Sequence, residues 1–186
     1  MILCLFIGSC DLLKPRDPQP PPSGQGNTAN PPAFAPETVI ENLQASFNGK
    51  NVNDYEKIFS DTSSVGRQYV FVPTQRAAGD FSALFAHWTI ESELNYFNKA
   101  TKGASITFPP IVSIPQSNVT KYHSDSSLIE ANYSVLLWPN TYAGHARFYL
   151  IPNKKSGTWV VYRWEDLQSA QDTSLSWSDM KGQFSQ

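Results

Sequence analysis

Three long stretches in the C-terminal half set the strongest limit on the fold. Ile129, Ala131, Tyr133, Val135 and Leu137 alternate with other residues along one stretch. Gly144, Ala146, Phe148 and Leu150 do the same along the next. Alternation with period two lines up one face of a strand. Lys154-Lys-Ser-Gly157 reads as a turn, and Trp159 through Trp164 as a third long strand. In that strand Trp159 and Val161 share one face, while Val160, Tyr162 and Trp164 share the other. Either both faces are covered or a bulge intervenes. Ile106-Thr-Phe108 and Ile111–Ile114 read as a further strand interrupted by Pro109-Pro110, which confines it to an edge or a bulge.

The first half has helical spacing instead. Pro36 suits the first helical position and Glu37 the first turn. Val39, Ile40, Leu43 and Phe47 follow on one face, and Gly49 fits just past the end. Asn53 is the expected cap of a second short helix, with Glu56 at the capping-box position and Tyr55, Ile58 and Phe59 as its apolar side. Tyr69–Val72 reads as a strand stopped by Pro73. Asp80 is expected to begin a helical turn holding Phe81, Leu84, Phe85 and Trp88. Ile90, Leu94 and Phe97 continue an amphipathic helix towards Gly103. A last short helix starts at Ser176, with Asp179 in the box position and Trp177, Met180 and Phe184 on one side. Helices first and long antiparallel strands later is an α+β order.

The N-terminus suggests location. Met1-Ile-Leu-Cys-Leu-Phe-Ile-Gly-Ser-Cys10 is an apolar run ending in two small residues and a cysteine. It resembles the lipobox of bacterial lipoproteins, in which the leader is removed and the cysteine acylated. The resemblance implies a signal peptide over residues 1–9 and lipidation at Cys10. The run is far shorter than the roughly 20 residues a membrane span needs. It is also short for a signal peptide and lacks a positive n-region, as a start site placed too far downstream would explain. Residues 11–35 hold seven prolines with Gly24 and Gly26. Together with Cys10 they read as an extended tether over 10–35, with the folded domain spanning 36–186. Asp11 resembles an inner-membrane retention signal of some bacteria, but its meaning depends on lineage, so the choice of membrane stays open.

The run from Ala35 to Phe59 looks like the opening of the NTF2-like (SnoaL-like) superfamily. Two helices joined by a short polar turn precede an aromatic strand there. The later pattern is also similar, with Gly144 alone inside a long strand, then Gly157-Thr-Trp159 and Trp164-Glu-Asp166. The resemblance implies a cone, in which a curved antiparallel sheet wraps around the N-terminal helices. Its enzymes need a carboxylate base and an acidic donor in one apolar pocket.

Several residues are candidates for chemistry of that kind. Asp54 and Tyr55 open the second helix, and Tyr69 is an oxyanion donor in principle. His87 and Glu91 are four apart, so they share a face if one helix includes both, with Trp88 beside them. His145, Arg147 and Tyr149 lie together on one strand face. Each also has a plainer role as core or solvated side chain, and so does Asp166 as a strand end. His123 sits in a turn-like segment. Three His and two Cys, one of them lost with the leader, leave little for metal or nucleophile chemistry. No cofactor is expected. With a net charge of −2 and no basic cluster, nucleic acid is not an expected partner. The leading expectation is a non-enzymatic, lipid-anchored envelope protein that binds a small ligand or a protein partner. The alternatives are an isomerase- or hydrolase-type enzyme and a dimeric structural module.

Overall fold

The computed structural model describes residues 29–104, 107–115, 119–123, 125–168 and 172–186. The leader, Cys10 and most of the tether lie outside these residues. Among the described residues, seven helices and six strands follow one another as α1 (Pro36–Asn48), α2 (Val52–Glu56), α3 (Thr62–Val65), β1 (Val70–Val72), α4 (Gln75–Asp80), α5 (Ser82–Phe85), α6 (Ile90–Lys102), β2 (Ile111–Ser113), β3 (Val119–His123), β4 (Ser126–Leu137), β5 (Asn140–Pro152), β6 (Trp159–Leu167) and α7 (Trp177–Ser185).

The sheet runs β1-β6-β5-β4-β2, with β3 also paired to β4. It is mixed rather than purely antiparallel, because β1 lies parallel to β6 while the other pairs are antiparallel. The curved sheet packs α1, α6 and α7 against one face. Ile129, Ala131, Tyr133, Val135 and Leu137 of β4 all point into that core, as their alternation requires. The β6 question resolves as a bulge: Tyr149 pairs with Arg163, but Leu150 pairs with Val161, so Tyr162 is the extra residue. The bulge lets Val161 and Trp164 face the same core.

Helix α1 occupies the expected span and buries Val39, Ile40, Leu43 and Phe47. Its exit differs from expectation. Gly49 keeps a right-handed conformation, and Lys50 takes the left-handed one at φ 55°. The cap of α2 is Asn51, not Asn53; its side chain accepts from the Asp54 backbone N–H. Asp80 does not begin the next helical turn but ends an unforeseen helix, α4, capped by Thr74; α5 follows from a Phe81 cap and stops at Phe85, short of Trp88. His123 ends strand β3, opposite Ser126, rather than lying in a turn.

Residues 30–35, assigned by composition to the tether, pack on the body. Ala33 accepts from the Trp159 backbone N–H at 2.7 Å, and Asn30 donates its backbone N–H to Asp54 at 2.9 Å. The Asn30 amide also donates to the Asn42 carbonyl and the Ser46 hydroxyl. Asp54 therefore fastens a strap, and Lys57 holds its carboxyl below the usual range.

Gly144 sits opposite Tyr133 in the β4–β5 ladder. A methyl group placed on it would come 2.5 Å from the Tyr133 hydroxyl. That hydroxyl is held at both its donor and acceptor sides, so it cannot swing away freely. Gly144→Ala is expected to cost about 1–3 kcal/mol, the usual penalty for overpacking, read from the urea midpoint.

Candidate functional site

The interior of the sheet-and-helix layer holds two opposite charges. Helix α6 begins with a capping box between Thr89 and Ser92, which places Glu93 on its first turn. Glu93 lies on the same stripe as Phe97 and is fully buried. Its carboxylate accepts from Tyr55 at 2.7 Å, from Tyr69 at 3.1 Å and from the Trp88 indole at 2.8 Å. The Lys181 ammonium straddles both oxygens at 2.8 Å.

Lys181 arrives from α7, whose own capping box joins Ser176 and Asp179. It lies one turn beyond Trp177, on the buried side of the helix. Its ammonium sits 3.5 Å from the centre of the Phe71 ring and 3.9 Å from that of Trp164. Trp88 and Tyr96 stand further out, at 5.5 Å and 5.8 Å. Aromatic faces attract a cation, and more strongly once water is gone. Burial pushes the Lys181 pKa down to about 8, against the pull of Glu93, which holds it up. Burial, and then the Glu93 charge, push the Tyr55 and Tyr69 hydroxyls well above the usual tyrosine range.

A second buried acid locks α7 in place. Asp166 of β6 accepts from Tyr133 at 2.6 Å, and from the backbone N–H and hydroxyl of Ser178 at 2.6 Å and 2.5 Å. The Tyr133 hydroxyl in turn accepts from the Trp177 backbone N–H at 2.7 Å, and the Trp177 indole donates to Tyr96 at 2.8 Å. Burial raises the Asp166 carboxyl above the usual range, with the bonds from Ser178 and Tyr133 opposing it. The two N–H groups are orphan donors of the α7 N-terminus, so strand side chains complete the helix end.

No protein-family model matches the sequence, and no curated protein sequence matches it. Solved structures do match in shape. A Mycobacterium tuberculosis protein of unknown function, Rv3472, superposes with a TM-score of 0.51 at 10% identity, over 75% of this chain and 74% of that one. Bdellovibrio bacteriovorus Bd1075 gives 0.52 at 12% identity, over 73% of this chain but only 40% of its own length. An NTF-2 like protein of unknown function from Shewanella oneidensis MR-1 aligns at 0.49 and 10% identity, over 70% of this chain and 93% of that one. What the chain shares with these structures is an α+β fold in which a curved mixed sheet encloses helices. At such identities the likeness extends to the fold and no further.

Within the cone, Tyr69 and Trp88 reach the interior, and both donate to Glu93. Tyr55 joins them there, while Asp54 points to the strap instead. The other candidates lie elsewhere. His87 and Glu91 do not share a helix face, because Thr89 caps α6 between them, and both side chains are exposed. His145 meets Asn132, and Tyr149 donates to Glu165, on the sheet face away from the core. Arg147 pairs there with Glu130 and with Glu165. Arg147 and Tyr149 share Glu165 while His145 stands beside Asn132, so the three sit on the outer sheet face and not in the cone. Asp166 is a core anchor rather than a strand end. Among the described residues no group of three His, Cys, Asp or Glu is placed to hold a metal ion, and no helix is long and apolar enough to cross a membrane.

Glu93 and Lys181 escaped the sequence reading, although a signal existed. Each is a charge inside an apolar helical stripe, four residues from Phe97 and from Trp177 respectively. A pH effect follows from the tyrosines around the pair. Burial, and then the Glu93 charge, hold Tyr55, Tyr69 and Tyr96 well above the usual tyrosine range, so above about pH 10 the unfolded chain loses phenol protons that the fold keeps, and urea titrations should show stability falling.

Proposed function

We propose that this chain is a lipid-anchored protein of a bacterial envelope whose NTF2-like domain binds a partner or small ligand and catalyses no reaction. One observation carries the non-enzymatic part: the chain's own Lys181 stands against Glu93, where a substrate would have to lie. An isomerase or hydrolase of this fold needs its carboxylate to touch the reacting molecule. Here both charges are fully buried, and α7 covers them.

The anchor is supported by the lipobox-like sequence before Cys10 and by the proline-rich segment after it. Several acyl chains on one residue meet the two-signal requirement for stable attachment. Metabolic lipid labelling should mark the wild-type chain and not Cys10→Ala; equal labelling of both would remove the envelope assignment. Hydrogen exchange tests the closed interior. The indole N–H groups of Trp88 and Trp177, bonded to Glu93 and Tyr96, should exchange slowly in the free protein. Exchange as fast as that of exposed Trp138 would mean that solvent reaches the cone, and would favour the enzyme instead.

A further inference from the structure

With the cone filled, the binding surface has to be sought outside it. A groove of about 580 Å³ lies between the strap at residues 30–33, helix α2 and the β5–β6 turn. That is within the usual range for small-molecule sites. Half-buried Trp159 supplies the accessible apolar surface, beside Ile58 and Phe59, which are almost wholly buried. Asn53, Glu56 and Asn153 supply polar groups along the same groove. The side chains of Asn53 and Glu56 have no protein partner among the described residues, and the Asn153 NH₂ group has none either.

The chemistry of this lining selects its ligand. Asp54 is neutralised by Lys57 at 2.8 Å and the Lys155 charge acts on Asp61, so three acids, with Glu56, stand against two lysines along the groove. An anionic ligand is therefore disfavoured. A strongly cationic one would meet the Lys57 ammonium beside those acids. An extended peptide has no strand edge to join here, because the Trp159 backbone N–H is already taken by Ala33 of the strap. An amide and a carboxylate beside an indole instead suit a pyranose ring. The C–H face of the sugar packs on the aromatic surface, and neighbouring hydroxyls donate to a carboxylate and exchange two bonds with an amide.

We propose that this groove is a binding site for a neutral oligosaccharide. The inference rests on reading the domain as a binding module with a closed interior. The strap forms one wall, so an occupied groove also stiffens the junction between tether and body.

Calorimetric titration of the full chain with chitotriose, cellotriose and maltotriose tests the proposal, with trigalacturonate and trilysine as charged counterparts. At least one neutral trisaccharide should bind saturably, with a dissociation constant on the order of 1 mM or tighter. Asn53→Ala and Glu56→Gln, both exposed and unpartnered, should each weaken it by roughly three- to tenfold with unchanged melting temperature. Failure of all three sugars to saturate would overturn the site, as would unchanged affinity in both variants or tighter binding of a charged probe. Indole exchange, followed in the same samples, separates the two readings. Slow Trp88 and Trp177 exchange without sugar binding removes the oligosaccharide and leaves the closed cone intact. Exchange accelerated by a bound sugar would place the ligand inside the cone, and both readings would fall.

Discussion

Lys181→Met is expected to lower the unfolding free energy by about 3–5 kcal/mol, the usual cost of breaking a buried ion pair on one side. The methionine keeps most of the side-chain length and leaves Phe71 and Trp164 a partner to pack on. What it removes is the positive charge 2.8 Å from both Glu93 oxygens. Three donors remain on that carboxylate, from Tyr55, Tyr69 and Trp88. They temper the loss, but a fully buried anion without a countercharge stays costly. Adding Glu93→Gln should restore most of the stability, because the amide oxygen can still accept from the same donors. The double variant is therefore expected to be more stable than Lys181→Met alone, as read from urea unfolding midpoints at constant slope. A double variant less stable than the single would mean that the two side chains do not act as a pair.

Asp166→Ala should be nearly as damaging, at about 3 kcal/mol, and its effect should be local in a way that can be seen. The carboxylate accepts from Tyr133 and twice from Ser178. Removing it strands three buried donors, each of which costs about 1–3 kcal/mol if unmet, less whatever water or rearrangement recovers. Two of those donors belong to Ser178, at the start of α7. Exchange of the α7 amides should therefore accelerate more than that of β4 and β5, and protease cleavage should appear first near the C-terminus. Gly182 makes the seat of α7 tight from the other side, since a methyl placed there would come 2.3 Å from the Phe81 ring.

Where period and packing agreed, the fold was legible in advance. Helix α1 combines a proline at its start with an unbroken apolar stripe, and β4 alternates without a defect. Where they disagreed, the reading slipped. The β6 alternation is out of phase because Tyr162 is an extra residue, and a bulge leaves no mark in composition. Helix α4 carries no apolar stripe, so the periodicity offered nothing to place it. The candidate site was harder for a physical reason. Tyr69 and Trp88 could be named from their own segments, but the group they serve is Glu93, and its partner Lys181 is 88 residues away. A charge within an apolar stripe signals a buried partner without saying which one. His87 and Glu91 have the spacing of a helical pair, and the Thr89 cap between them cancels it.

The chain's own lysine fills the cone. Reductive methylation of the native protein, followed by peptide mass spectrometry, tests it directly. Exposed Lys57 and Lys102 should be dimethylated while Lys181 stays unmodified until urea unfolds the chain. Methylation of Lys181 at the rate of those surface lysines, without denaturant, would contradict it.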